Sequence, residues 1–157
     1  MSIVPPLLGL AGFQLPAFVF NWCPVIKPTT GILAATLLVM APHMVRVSAF
    51  GSSYNNVNPR SQAANSKNQT VTRANNAHIN GLENFPLFAA AVISAVVAGV
   101  DKDAVGQLCS LYLFARTGYN VVYICTSSVA GSLARSSLYS LGSIVCCSLL
   151  AMAGSRL

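Results

Sequence analysis

Two charged residues, Glu83 and Arg116, lie inside long apolar stretches of a chain that has only three acidic residues in total. A charge deep in a membrane span costs on the order of several kcal/mol, so it normally marks a functional site or an ion pair. The sequence therefore predicts either a polar ligand site or, as the structural alternative, a Glu83–Arg116 pair that joins two helices.

Further polar residues share a helical face with Glu83. Asn76, Asn80 and Glu83 stand at i, i+4 and i+7, and Arg73 extends the same face by one turn. Side chains at this spacing lie along one stripe of an α-helix. The stripe is a candidate binding surface, and the alternative for Asn80 is a hydrogen bond to a neighbouring helix, as is common in membranes.

A second stripe accompanies Arg116, because Tyr119 and Tyr123 follow it at i+3 and i+7. Tyrosines near a membrane surface also occur as interface belt residues, which is the alternative reading. Near the start of the last apolar stretch stand three more candidates, Arg135, Ser136 and Tyr139.

Metal and disulfide chemistry have little support in the sequence. His43 and His78 have no matching carboxylate cluster, so no metal site is predicted. The five cysteines show no metal or redox spacing and are expected to be free thiols that pack as small apolar residues.

The composition is that of a membrane protein. The chain has 157 residues, of which 54% are hydrophobic and 8% are charged, whereas soluble domains carry about 25% charged residues. The net charge of +6 comes from scattered residues rather than from a basic stripe with interleaved aromatics. Membrane lipids are therefore the expected surroundings, and nucleic acid is not an expected partner.

The apolar pattern predicts an all-α fold with four transmembrane helices at about residues 30–50, 73–100, 105–126 and 135–153. Pro42 should kink the first of them. Residues 51–72 are expected to form a polar loop, and residues 127–134 a short connection. Residues 1–28 are a separate apolar, Pro-rich segment without the basic region of a signal peptide, and residues 29–157 form the membrane domain.

The basic residues predict an orientation. Five of them flank the connections after the first and third helices, which places the loop 51–72 in the cytosol: Arg46, Arg60, Lys67, Arg73 and Arg135. This orientation leaves the sequon at Asn68 unused.

Three motifs resemble one family. "RANNAHINGLENFPLF", "FARTGYNVVY" and "RSSLY" are similar, in order and in position, to patterns of the MAPEG superfamily, the membrane-associated proteins of eicosanoid and glutathione metabolism. The resemblance covers about residues 30–155. It implies a four-helix bundle assembled as a homotrimer, with glutathione in a cleft between subunits that opens to the cytosol.

The resemblance also implies roles for the candidate residues. Matches to glutathione-contacting positions are Asn80, Glu83, Tyr119 and Tyr123, and matches to thiol-activating positions are Arg135 and Ser136. Glutathione carries two carboxylates and one ammonium, so Arg46, Arg73 and Arg135 are expected to bind the carboxylates and Glu83 the ammonium. Tyr139 completes the predicted binding set.

The activity implied is a glutathione transferase or peroxidase, in which a glutathione thiolate attacks a lipophilic electrophile or hydroperoxide. Asn76 and Ile79 stand where glutathione-using members carry arginine, which favours the alternative of a non-catalytic lipid-binding or scaffold protein. A channel or transporter is disfavoured, because no internal repeat is visible. Endoplasmic reticulum is the expected membrane, and the terminal "SRL" resembles a peroxisomal address.

Overall fold

The computed structural model describes residues 22–157, and most of the predicted N-terminal segment 1–28 lies outside that range. The described part is all-helical, with no strand. One 3₁₀ turn, Gly51–Ser53, follows the first helix. The five α-helices are α1 (Pro28–Phe50), α2 (Pro59–Ala64), α3 (Gln69–Val97), α4 (Lys102–Cys125) and α5 (Val129–Gly154).

Three segments of the described chain are long and apolar enough to cross a membrane: Pro28–Ser53, Gln69–Val97 and Val129–Gly154. They contain α1, α3 and α5. The fourth long helix, α4, is not among them, so the prediction that it also spans the bilayer stays a prediction. A membrane protein of helical class, without strands in residues 22–157, is confirmed.

The polar stretch 51–72 is more ordered than the predicted loop. It contains the 3₁₀ turn and α2, and α3 begins at Gln69 rather than near Arg73. Asn68 caps α3, because its Oδ1 accepts the Thr70 N–H at 2.9 Å. Gln62 on α2 stabilises this stretch by donating a hydrogen bond from Nε2 to the Ser53 carbonyl at 2.7 Å.

The connection predicted at residues 127–134 is mostly helix. The hydroxyl of Ser128 accepts the Gly131 N–H at 3.1 Å, so α5 begins at Val129. The run of small residues resembles a linker in sequence, but here it permits close packing: a Cβ at Gly131 would overlap the Thr126 side chain.

The core forms where α4 packs against α1, α3 and α5. At its centre the rings of Phe88 and Tyr112 stack with centroids 3.7 Å apart. Residues before α1 also cover α4, because the Ser110 hydroxyl donates to the Pro24 carbonyl at 2.6 Å. All five cysteines are free thiols, as the sequence predicts, and Cys109 and Cys146 are buried in this core.

Because α1, α3 and α5 pack around α4, this helix can bury polar side chains. Arg116 and Asn120 are its buried polar side chains, and both point inward to neighbouring helices.

We therefore expect α4 alone to insert into microsomal membranes less efficiently than α5, as measured with a glycosylation reporter. Arg116→Leu should recover about 3 kcal/mol of apparent insertion free energy. Equal insertion of isolated α4 and α5 would contradict this account.

Candidate functional site

A cleft of about 270 Å³ lies where α4 ends and where α3 and α5 begin. Two arginines, one tyrosine, three hydroxyl-bearing residues of the α4–α5 connection and one serine of α5 line it: Arg73, Arg135, Tyr123, Thr126, Ser127, Ser128 and Ser132. None of these lining residues carries a carboxylate. Two guanidinium groups among hydroxyls form a site suited to an anionic ligand.

Arg135 stands on one wall of the cleft, on the second turn of α5. Its guanidinium carbon lies 4.4 Å from the centroid of the Tyr123 ring, which is a cation–π contact. Its Nη2 donates to the Ser132 hydroxyl at 3.3 Å. These two contacts hold the guanidinium group at the cleft while leaving most of its N–H groups available to a ligand.

The hydroxyl that contacts Arg135 is Ser132 rather than Ser136. Ser136 is exposed, and it is not one of the residues that line the cleft. The signal that could have found Ser132 is its place three residues before Arg135 on the same helix, since i and i+3 side chains are neighbours.

Arg73 also lines the cleft, from the second turn of α3. Its Nη2 donates to Gln69 Oε1 at 2.9 Å, again a contact within one helix face. Arg73 is half-buried, and it lines the cleft together with Tyr123 and Arg135.

Tyr119 and Tyr139 contact the site through other aromatic rings. The Tyr119 centroid lies 5.5 Å from that of Tyr123 and 6.3 Å from that of Tyr139. The Arg116 guanidinium carbon lies 4.5 Å from the Tyr119 ring centroid. We call Arg116, Tyr119, Tyr123 and Arg135 the aromatic stack, because cation, ring, ring and cation follow one another. Tyr119 is buried in this stack and does not line the cleft.

Arg116 is buried, and its hydrogen-bond partner is Asn80. Arg116 Nη2 donates to Asn80 Oδ1 at 2.9 Å, which joins α4 to α3. Within residues 22–157 no ion pair joins Arg116 to Glu83, so the pair that was the structural alternative to a ligand site does not form within the described chain. Glu83 is exposed on α3, although it follows Asn80 by only three residues on the same helix.

Arg46 lies in the interior between α1 and α3 rather than at the cleft. Its Nη1 donates to Asn75 Oδ1 at 2.6 Å, and its Nη2 donates to His43 Nδ1 at 2.7 Å. His43 therefore accepts through Nδ1, whereas His78 donates from Nδ1 to the Val39 carbonyl at 2.9 Å. The expected role of Arg46 as a ligand contact requires it to leave these partners.

One chain thus assembles a part of the predicted set. The cleft contains three of its members: Arg73, Tyr123 and Arg135. The others lie in the aromatic stack, in interior hydrogen bonds or on the exposed surface: Tyr119, Tyr139, Asn80, Arg46, Glu83 and Ser136. Among residues 22–157 no group of three metal-ligating side chains is present.

The helical architecture with its long apolar spans defines an integral membrane protein. The family model of the MAPEG family matches residues 29–155, and the chain belongs to that family. No curated protein and no solved structure gives a significant match to the chain.

We expect the hydrogen bond between Asn80 and Arg116 to stabilise the fold. Asn80→Ala leaves a buried guanidinium without its hydrogen-bond acceptor, which should cost about 1–3 kcal/mol and lower Tm in detergent by several degrees. Asn76→Ala on the same helix is the matched control, because Asn76 is exposed. Equal Tm values for the two variants would contradict the role of Asn80.

Proposed function

We propose that the protein is a membrane glutathione transferase or peroxidase that activates the glutathione thiolate for attack on a lipophilic electrophile or hydroperoxide. The observation that carries this proposal is the cleft in which Arg73 and Arg135 face a space lined by hydroxyls and by no carboxylate. Family membership supports the same ligand class.

The ligand's charges suit the cleft. Glutathione has two carboxylates, and a guanidinium group recognises a carboxylate with two parallel N–H bonds. Arg73 and Arg135 each keep free N–H groups beyond their contacts with Gln69 and Ser132. The hydroxyls of Ser128 and Thr126 would complete the polar lining.

The chemistry would centre on the thiol. A free cysteine thiol has a pKa of about 8.5, and a nearby arginine favours the thiolate, which is the nucleophile. Arg135 is the proposed activating cation, and Ser136 is a further hydrogen-bond donor if α5 turns it inward. With an electrophile the thiolate forms a sulfur–carbon bond, and it either displaces a leaving group as its anion or adds to an activated double bond, whose carbanion then takes a proton from water. With a hydroperoxide it takes the terminal oxygen, releasing an alcohol, and a second glutathione then gives the disulfide and water.

A neighbouring subunit would supply the missing anion. Glu83 is exposed on a candidate membrane span, where an unpaired carboxylate is costly, and it does not line the cleft of its own chain. We propose a homotrimer in which Glu83 of one subunit meets the cleft of the next and binds the ligand ammonium. The second substrate would enter from the lipid.

A non-catalytic lipid-binding or scaffold role is the second candidate. Two predicted ligand residues, Asn80 and Arg46, already have partners inside the chain. With Asn76 and Ile79 in place of arginine, the cationic surface is also small. Both observations favour weak glutathione binding.

A titration of glutathione into the detergent-solubilised protein separates the candidates. We expect calorimetric binding to wild type, and a 10–100-fold higher Kd for Arg135→Ala, because a charge-assisted hydrogen bond is lost. Glu83→Gln should also weaken binding. Arg60→Ala is the matched control, because Arg60 lies on α2 and not at the cleft.

The outcomes differ for the two roles. Binding together with conjugating activity that Arg135→Ala abolishes supports the enzyme. Wild-type binding without turnover of any electrophile or hydroperoxide supports the scaffold, and no binding at all contradicts the proposed ligand. Unchanged Kd and turnover in Arg135→Ala would remove Arg135 from the mechanism.

A further inference from the structure

A second, smaller space lies between α1, α3 and α4, and we call it the interior crevice. Its interior volume is about 10 Å³. Apolar residues of α1 and a glycine of α3 face three polar residues of α4 across it: Ala35, Leu38, Val39, Gly81, Tyr112, Arg116 and Asn120. It shares no lining residue with the cleft of Arg73 and Arg135.

Asn120 has an unpaired acceptor in the interior crevice. Its side chain is only 9% exposed. The amide Nδ2 donates to the Leu38 carbonyl at 3.2 Å, which fixes the orientation of the side chain. Its Oδ1 is buried and has no partner among the described residues. Buried side-chain acceptors almost always have a partner in the protein or in an ordered water, so this oxygen requires a donor.

Arg116 faces the same crevice with unused donors. It is 5% exposed, and within residues 22–157 its hydrogen-bond partner is Asn80. A guanidinium group has five N–H donors, and no carboxylate contacts this one in the described chain. A buried cation without an anion requires polar groups around it to replace bulk water.

We propose that the interior crevice binds one water molecule, which donates to Asn120 Oδ1 and accepts from the Arg116 guanidinium. A water needs about 10–15 Å³ and two to four polar partners. The crevice provides that volume, Asn120 and Arg116 as partners, and Tyr112 as a third polar neighbour. An acyl chain and a halide ion both lack a hydrogen-bond donor, so neither would satisfy Asn120 Oδ1.

The water has a structural consequence. The water gives Arg116 a second hydrogen-bond partner beside Asn80. It also stabilises Asn120, which joins α4 to α1 through the Leu38 carbonyl. Arg116 in turn contacts the Tyr119 ring, so the water helps to position the aromatic stack. This hydration site does not depend on the proposed activity.

Gly81→Ala tests the site by occupying it. The added Cβ would lie 3.4 Å from both Val39 methyl groups, in ordinary contact, and it would fill room between two residues that line the crevice. Alanine is a better helix former than glycine, so in a dry crevice this variant should raise Tm. If it displaces the water, Asn120 Oδ1 is left buried without a donor, and Tm should fall by about 2–4 °C.

Gly118→Ala is the matched control. Gly118 is also a glycine inside a long helix, and a Cβ there would meet the Leu138 methyl groups at 3.2 and 3.4 Å, whereas neither residue lines the crevice. The end of the Leu138 side chain can move by the small distance required, so we expect the Tm of this variant to equal or exceed that of wild type.

A high-resolution structure of the wild-type protein is the second measurement. We expect one density peak of water size within hydrogen-bond distance of Asn120 Oδ1 and Arg116, and its loss in Gly81→Ala. An empty crevice, an acyl chain in it, or a rise in Tm for Gly81→Ala would overturn the proposal. The density also tells whether a lower Tm of Gly81→Ala comes from loss of the water or from steric strain. If Tm falls but the wild-type density shows no water, the proposal is contradicted.

Discussion

The burial of Arg116 is the constraint on which the rest of the structure depends. The protein holds a full positive charge on α4, at 5% exposure and without a carboxylate contact in the described chain. Asn80 accepts one of its hydrogen bonds and Tyr119 presents a ring face to it, so α3 and α4 are joined at this point. Since the burial of an unsolvated charge is costly, α4 must be enclosed by its neighbours.

The same constraint reaches the cleft. Arg116, Tyr119, Tyr123 and Arg135 follow one another at contacts of 4.4 to 5.5 Å. Asn80 holds the interior end of this aromatic stack, and the outer end is Arg135, which lines the cleft together with Arg73. The orientation of the proposed activating cation therefore depends on packing inside the bundle, because cation–π contacts fix position without using up N–H donors.

The sequence predicted the helical membrane class, because apolar run length and helical periodicity are local properties. The structure brings Arg73, Tyr123 and Arg135 to one cleft, and their role as ligand contacts stays a prediction. The sequence could not choose the partner of Arg116, since Asn80 and Glu83 share one stripe and differ only in their rotation about α3. The sequence also did not indicate that Arg46 is buried by contacts with Asn75 and His43. Asn75 is 29 residues away along the chain, and the residue type of His43 does not by itself indicate a contact with Arg46. The start of α5 was misread because small residues suit both a linker and a close-packed helix.

We propose that Arg135, held over Tyr123, stabilises the thiolate of bound glutathione. This role can be tested by the ultraviolet thiolate absorbance of glutathione bound to the purified protein at neutral pH, compared between wild type and Arg135→Ala. We expect thiolate absorbance in wild type, because the pKa of the bound thiol falls below its ordinary value of about 8.5, and a large loss in the variant. Bound glutathione that remains a thiol in wild type, or equal absorbance in both proteins, would contradict it.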